Sequence, residues 1–271
     1  MTAADDMTER VDVVVPAYPA GHQLLADKVA VVTAAAGSGI GQATARRCLE
    51  EGAQVVLSDA HERRLGETVA DLAAGYGDRV AAIPCDVTDE AQVQHLIDGA
   101  IERFGRIDVM VNNAGLGGTA SVLEMSDEQW SRVLDVTLTG TFRCTRAAVR
   151  AMVAGGVRGT VVNNASVIGW RAQQGQAHYA AAKAGVMALT RCTALDVAAH
   201  GIRVNAVAPS LAMHPHLAKV TSEELLGELT KREAFGRYAE PWEVANVIVF
   251  LASDYASYLT GEVVSVSSQH P

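Results

Sequence analysis

The feature that most constrains the fold of this chain is an alternation of short apolar runs with amphipathic stretches. The run KVAVVTA is short and continuously apolar, which is typical of a strand buried on both faces of a parallel sheet. A helical stretch follows it, and the same strand–helix unit recurs at intervals of about 25–30 residues. Parallel strands joined by right-handed helical crossovers make a doubly wound sheet. We therefore predict an α/β fold with one doubly wound parallel sheet of about seven strands and helices on both faces.

The beginning of the chain lies outside this alternation. We predict that residues 1–25 form an N-terminal extension, partly ordered against the body and without a catalytic role. Its segment VDVVVP is a candidate short edge strand. Residues 26–271 are predicted to form a single domain, with a long helix over Glu128–Ala154.

Composition excludes several classes of function. A net charge of −9 argues against a broad surface for nucleic acid or anionic membrane. No apolar run is long enough to span a membrane, and the N-terminus is acidic where a signal peptide would be basic. We predict a cytoplasmic protein without a metal site, because its cysteines have no metal-ligand spacing and fall in predicted core elements as reduced thiols. They are Cys48, Cys85, Cys144 and Cys192.

Three glycines lie where the first predicted strand passes into a helix. Gly37, Gly39 and Gly41 would let the backbone approach a pyrophosphate, and the helix N-terminus would supply N–H donors and positive potential. Ser38 and Ile40 belong to the same predicted cofactor loop. Ordinary tight turns also use glycines, so the loop alone does not decide the matter.

A carboxylate strengthens the dinucleotide interpretation. Asp59 lies eighteen residues after Gly41, at the end of the second predicted strand, where a carboxylate accepts hydrogen bonds from adenosine ribose hydroxyls. It would also repel a 2′-phosphate, which favours NAD over NADP. The nearby His61, Arg63 and Arg64 keep NADP as the alternative. A role for Asp59 as a helix N-cap is compatible with either cofactor.

Residues after later strands complete the predicted cofactor groove. The third strand is predicted over RVAAIPCDVTD, ending near Asp86, and Asp86 with Val87 is expected near adenine. Asn112 ends the fourth strand, where doubly wound sheets bind ligands. For Asn112, a structural role in joining neighbouring strand ends is an equally good interpretation. The further predicted cofactor contacts are Asn113, Ala114, Gly115 and Pro209.

A phenol and an ammonium share one face of a helix in the second half of the chain. Tyr179 and Lys183 lie four residues apart, and Ser166 ends the preceding predicted strand. A cation lowers the pKa of a nearby tyrosine from its usual value of about 10, which suits proton transfer at an alcohol oxygen. The serine hydroxyl would hold that oxygen. A buried tyrosine with a lysine extending past it is the alternative.

In this order and spacing, the motifs resemble the short-chain dehydrogenase/reductase family from about Leu25 to Val266. The matching pieces are GSGIG, Asp59, CDVTD, NNAG, Ser166 with Tyr179 thirteen residues on, Lys183, RVNAVAP and PWEVANVIVFLASDYASYLTGE. The resemblance implies a Rossmann-type NAD(P)-dependent alcohol/carbonyl oxidoreductase with Tyr179 as acid/base. It implies that Lys183 lowers the tyrosine pKa and, with Tyr179, contacts the cofactor, and that Ser166 polarises the carbonyl. It also implies a homotetramer built partly on the Tyr179 helix and the helix before it.

Several positions depart from the family pattern. Ala35 takes the place of the first loop glycine, and Thr137 stands where the family carries a catalytic asparagine. We predict that the Thr137 hydroxyl serves in the proton relay instead. Ser210 replaces a glycine, and the chain ends VSVSSQHP. Because Ser166, Tyr179 and Lys183 are retained, these changes indicate a specialised pocket in an active enzyme.

The segments TAAAGSGIG, NNASVIGWRAQ and SSQHP resemble a subgroup that acts in bacterial steroid degradation. This resemblance implies NAD-dependent oxidation of a ring hydroxyl in an indane-type CoA thioester. Trp170, Met213 and His214 are the predicted substrate contacts, although Trp170 also suits the interior. A fatty-acid-type 3-oxoacyl thioester reductase and a non-catalytic nucleotide sensor are the alternatives. Three basic residues are predicted either to contact the CoA phosphates or to be solvated surface charges: Lys219, Lys231 and Arg232.

Overall fold

A computed structural model describes residues 13–213 and 223–269 of the chain. Its strands form one 7-stranded sheet in the order β3-β2-β1-β4-β5-β6-β7, and every neighbouring pair is parallel. The predicted doubly wound α/β fold is confirmed. The strands are β1 Val29–Val32, β2 Gln54–Leu57, β3 Val80–Ala82, β4 Val109–Asn112, β5 Thr160–Asn164, β6 Arg203–Pro209 and β7 Val263–Val266.

Helices cover both faces of the sheet. One apolar layer lies between the sheet and α1, α2 and α8, and the other lies between the sheet and α3, α5 and α6. In the part of the chain that the structure describes, no helix is long and apolar enough to cross a membrane. The helices are α1 Ile40–Glu50, α2 Glu62–Tyr76, α3 Glu90–Phe104, α4 Asp127–Leu134, α5 Gly140–Ala154, α6 Ala177–Val197, α7 Glu223–Arg232 and α8 Pro241–Ala252.

The continuous apolar run of β1 follows from this double cover. Val31 packs into one layer and Val32 into the other, because successive strand side chains point to opposite faces. Both are fully buried. Burial of a valine side chain contributes on the order of 1.5–3 kcal/mol, so both faces of the strand favour this placement.

The predicted long helix contains an irregular turn. Ser126 and Gln129 form a capping box at the start of α4, and a π-helical turn over Asp135–Thr139 joins α4 to α5. The residues on either side of the turn keep right-handed helical dihedrals, so the helix continues through it. Thr137 lies inside this turn and is fully buried. Such turns are frequent at functional sites, and the hydrophobic pattern does not reveal them.

Two predicted strands differ from the structure. The third strand ends at Ala82 and CDVTD is loop, since Pro84 has no N–H to donate to a sheet ladder. The described part of VDVVVP, residues 13–16, is not a strand. Among the cysteines, Cys192 is exposed on α6, whereas the other three are buried as expected.

The chain before β1 is held against α1 by polar contacts. The Arg47 guanidinium donates to the Pro19 carbonyl at 2.6 Å, and the Glu51 carboxylate accepts from the backbone N–H of His22 at 2.8 Å. Arg47 and Glu51 also form a buried ion pair with each other. Leu25 then enters the apolar layer beneath α1, fully buried.

Candidate active site

The predicted site residues gather at the carboxyl edge of the sheet. The strand order reverses between β1 and β4, so the connections leave in opposite directions and a crevice opens there. The glycine loop, residues 34–41, follows β1 and faces this crevice. Ser166 follows β5, and Pro209 ends β6 paired with Val266.

Close backbone packing shapes the glycine loop. A Cβ on Gly41 would lie 2.2 Å from the Ala34 oxygen and 2.5 Å from Asn113 Nδ2, so only glycine fits there. Ala34 has φ of +48°, the left-handed region that non-glycine residues rarely adopt. Gly39 is the N-cap of α1 and offers no side-chain acceptor, which leaves first-turn N–H groups free for an anion. The loop therefore fits a pyrophosphate.

Asp59 lies directly beside the glycine loop. Its carboxylate accepts hydrogen bonds from the backbone N–H of Ala36 at 3.2 Å and of His61 at 2.9 Å. His61, and not Asp59, is the N-cap of α2. A carboxylate has about four acceptor sites, so acceptor capacity remains for ribose hydroxyls.

The loop after β3 reaches the same corner of the edge. The backbone N–H of Cys85 donates to the Asp59 carbonyl at 3.2 Å, which places Asp86 next to the Asp59 segment. The exposed Asp86 carboxylate accepts from the Thr88 hydroxyl at 2.7 Å. Val87 is buried, and a Cβ on Gly140 would lie 2.6 Å from it. Asp86 is thus near the predicted adenine end, whereas Val87 is mainly a packing residue.

Asn112 joins strand ends, in agreement with the structural interpretation. Its side-chain N–H groups donate to Thr145 and to Asn163, both at 2.8 Å. Asn163 in turn donates to the Thr190 hydroxyl at 2.9 Å. Asn112 is 2% exposed. Its side chain is therefore buried away from the crevice, which its neighbour Asn113 faces.

The Ser–Tyr–Lys cluster consists of Ser166, Tyr179 and Lys183, whose side chains lie close together in the structure. A hydrogen bond joins the side chains of Ser166 and Tyr179. Lys183 Nζ lies 5.6 Å from the centroid of the Tyr179 ring and donates to the Asn164 carbonyl at 2.5 Å. A short 3₁₀ turn, Val167–Gly169, carries the chain from Ser166 towards α6.

Burial dominates the electrostatics of this cluster. It raises the pKa of Tyr179, and the hydrogen bond from Ser166 opposes that rise. Burial also lowers the pKa of Lys183 to about 8. The predicted lowering of the tyrosine pKa by Lys183 is not seen in the chain alone, because desolvation disfavours both charged forms and the ammonium points at the Asn164 carbonyl.

Thr137 lies beneath the cluster but its hydroxyl is engaged. A Cβ on Gly115 would lie 3.4 Å from Lys183 Nζ and 3.8 Å from Thr137 Oγ1, which places the three residues together. The hydroxyl accepts from the Leu116 N–H at 2.9 Å and donates to the Leu116 carbonyl at 3.1 Å. Thr137 thus holds the loop after β4, and its part in a proton relay stays a prediction.

A comparison with protein families identifies the family of this chain. The family model described as enoyl-(acyl carrier protein) reductase matches residues 34–268. The chain belongs to the short-chain dehydrogenase/reductase family. It is therefore an oxidoreductase of a family that uses a nicotinamide cofactor, and the glycine loop is where the chain can hold it.

Similar proteins agree with the family. A protein of Mycobacterium tuberculosis named (5R,7aS)-5-hydroxy-7a-methyl-1-oxo-2,3,5,6,7,7a-hexahydro-1H-indene-carboxyl-CoA reductase is 64% identical over 259 residues, covering 95% of this chain and 98% of the relative. The crystal structure of a short chain dehydrogenase from Mycobacterium smegmatis has 57% identity and a TM-score of 0.84, covering 95% and 99%. A 3-oxoacyl-(acyl-carrier-protein) reductase of Thermotoga maritima is 40% identical over 242 residues, covering 89% and 97%.

The predicted substrate contacts of this family member are only partly described. Trp170 is 37% exposed, so the interior alternative does not hold. The Met213 N–H donates to the Ala239 carbonyl at 3.1 Å, which closes the base of the segment after β6. Lys231 and Arg232 end α7 as exposed side chains. His214 and Lys219 lie outside the described residues.

Sequence reasoning missed three polar residues that shape the site. Thr33 Oγ1 accepts a hydrogen bond from the Asn113 N–H at 3.0 Å. Its position directly after a predicted strand was a sequence signal that could have identified it. Thr68 on α2 accepts from the Gly37 N–H at 3.0 Å, which no local pattern reveals. The third is Asn164, whose side chain bonds Asn113 at 2.9 Å.

Proposed function

We propose that the chain is an NAD-dependent oxidoreductase that interconverts a ring hydroxyl and a ketone on a bicyclic, indane-type CoA thioester of steroid catabolism. The convergence of Ser166, Tyr179 and Lys183 beside the glycine loop carries the proposal. The substrate class is supported by the name of the 64% identical relative. We favour oxidation of the hydroxyl, the direction that the resemblance to the steroid-degradation subgroup implies. The relative is named a reductase, and the same groups serve both directions.

Each residue of the cluster has a distinct proposed role. Tyr179 takes the hydroxyl proton in oxidation and returns it in reduction, while Ser166 holds the substrate oxygen. Lys183 binds the cofactor ribose and balances charge near Tyr179. A bound nicotinamide supplies the carbon that accepts or donates hydride, and the protein supplies orientation.

Asp59 supports NAD over NADP. Its carboxylate sits against the glycine loop, where a 2′-phosphate would meet a negative charge. Arg63 is one of the residues that made NADP the alternative cofactor, and it forms an ion pair with Glu67 at 2.9 Å. The proposed cofactor contacts are Gly37, Ser38, Gly39, Ile40, Gly41, Asp59, Asp86, Val87, Asn113, Ala114, Gly115, Tyr179, Lys183 and Pro209.

Exposed apolar side chains support assembly into a homotetramer. Trp130 on α4, Phe142 on α5 and Leu195 on α6 are 40%, 41% and 81% exposed. Large exposed apolar groups on helices that pack against one another favour burial against another copy. The molar mass of the protein in solution, measured by light scattering, tests the homotetramer.

We propose that residues 26–271 form the catalytic domain and that residues 1–25 extend it. We also propose that the protein acts in the cytoplasm.

A substrate comparison tests the activity. Purified protein is assayed for NAD reduction with hydroxy-indane CoA thioesters, and for NADH oxidation with acetoacetyl-CoA. We expect kcat/KM for the ring alcohol to exceed that for acetoacetyl-CoA by at least about 100-fold, since the smaller acyl group leaves much apolar surface unpaired. The free hydroxy-indane acid serves as the matched control for the CoA moiety. A preference for acetoacetyl-CoA would favour the 3-oxoacyl reductase, for which the 40% identical relative is the supporting observation.

A further inference from the structure

We infer that Asn164 is a positioning residue that links Lys183 to the glycine loop and accepts, through its side-chain oxygen, a hydrogen bond from the nicotinamide half of the dinucleotide. The inference rests on the proposed function in needing a bound dinucleotide. Asn164 is the last residue of β5 and is half-buried, whereas the four residues before it are buried. It therefore reaches the carboxyl edge, between the Ser–Tyr–Lys cluster and the crevice.

The backbone of Asn164 holds the lysine. Its carbonyl accepts the Lys183 ammonium at 2.5 Å, so Nζ is fixed relative to the end of β5. Lys183 is 3% exposed, and a buried ammonium needs such an acceptor. Any shift in the Asn164 backbone would thus be transmitted to Lys183.

The side chain of Asn164 bonds Asn113, which in turn bonds the start of the glycine loop. Its Nδ2 donates to Asn113 Oδ1 at 2.9 Å, and Asn113 Nδ2 donates to the carbonyls of Thr33 at 3.2 Å and Ala34 at 3.1 Å. Two carbonyl acceptors fix Asn113 Nδ2 in place, which leaves Oδ1 as its acceptor. Asn164 must then present its own Nδ2 to Asn113. The amide orientation follows from the network.

This orientation leaves the side-chain oxygen of Asn164 without a donor within the described part of the chain. Asn164 Oδ1 is buried and has no hydrogen-bond partner among the residues that the structure describes. A buried amide oxygen without a donor is unfavourable by roughly 1–3 kcal/mol, so such atoms call for a ligand or a structural reason. Dinucleotide donors close to Lys183 are the ribose hydroxyls and the carboxamide N–H of the nicotinamide half. They are the groups that would satisfy this oxygen.

Titration of two nucleotides tests the inference without relying on turnover. Asn164→Ala removes the side chain and keeps the carbonyl that binds Lys183. We expect the Kd for NAD, measured by calorimetry, to rise about ten-fold, and the Kd for ADP, which lacks the nicotinamide half, to stay within about two-fold. Asn164→Ser, which is too short to place an oxygen at the same point, is expected to give the same split if the alanine variant does not fold.

Thr145→Val is the matched control. Thr145 accepts from Asn112 on the opposite face of the sheet, so its loss should lower the Tm and leave both Kd values unchanged. Equal weakening of NAD and ADP by Asn164→Ala would show a purely structural role and overturn the inference, as would an unchanged Kd for NAD. Both results leave the proposed function standing. Failure of the wild-type protein to bind NAD would overturn the two together.

Discussion

The glycine loop and the Ser–Tyr–Lys cluster lie on the same edge of the sheet but are held in place by different means. The loop is fixed by hydrogen bonds from its backbone to side chains outside it, such as Ala36 to Asp59 and Gly37 to Thr68. The cluster is held by the hydrogen bond from Lys183 to the end of β5 and is buried, and this burial shifts the pKa values of Tyr179 and Lys183. The difference indicates that binding and chemistry are separable: loop substitutions should change Kd, and cluster substitutions should change kcat.

The largest effect is expected for Tyr179→Phe. The variant keeps the ring and its packing but has no proton to exchange, so kcat should fall by about 1,000-fold or more. The Kd for NAD should stay within about two-fold, since the glycine loop, Asp59 and Lys183 keep their cofactor contacts and only the Tyr179 hydroxyl is lost. Steady-state kinetics and calorimetry measure the two quantities. A kcat within ten-fold of wild type would remove Tyr179 from the chemistry.

Ser166→Ala should act on rate and on pH dependence together. Loss of the hydroxyl that holds the substrate oxygen should lower kcat/KM by about 100-fold. The Ser166 hydrogen bond lowers the pKa of Tyr179, so its removal raises that pKa further. Oxidation needs the deprotonated tyrosine, and the rising limb of its pH–rate profile should therefore move to higher pH. A limb that stays in place or moves to lower pH would contradict the assignment.

Asp59→Ala should change cofactor preference and spare the chemistry. We expect the ratio of the Kd for NADP to the Kd for NAD to fall by about ten-fold. NAD loses its ribose hydrogen bonds, and the repulsion of the 2′-phosphate of NADP disappears. Asp59→Asn separates these causes, since it removes the charge and keeps an acceptor. An unchanged ratio in both variants would take Asp59 out of cofactor selection.

The smallest effect is expected for Thr68→Val. The Gly37 N–H loses its acceptor, so the loop should loosen, with Kd for NAD rising about three-fold and Tm falling by a few degrees. The kcat at saturating NAD should not change. Thr68→Ser, which retains the hydroxyl, is the control. A fall in kcat with an unchanged Kd for NAD would contradict the view that the glycine loop governs binding and the Ser–Tyr–Lys cluster governs the rate.

The sequence predicts those arrangements of residues that have local signals. The doubly wound sheet follows from strand–helix alternation, and Ser166, Tyr179 and Lys183 meet because a strand end and a helix face place them together. The π-helical turn at Asp135–Thr139 and the bond from Gly37 to Thr68 depend on tertiary packing, which leaves no periodic trace. The direction of the Tyr179 pKa shift was missed for the same reason, since desolvation depends on the surrounding fold.

The central claim is that the cluster moves hydride between a ring carbinol carbon and a dinucleotide bound at the glycine loop. The most direct measurement uses a hydroxy-indane CoA thioester with deuterium at the carbinol carbon, followed by mass spectrometry of the nucleotide product. The account predicts one deuterium in each NADH formed, and labelled NADH that accumulates at least about 1,000-fold more slowly in the Tyr179→Phe reaction. Ketone formation with the label lost to water, or no ketone formation by the wild-type protein, would contradict it.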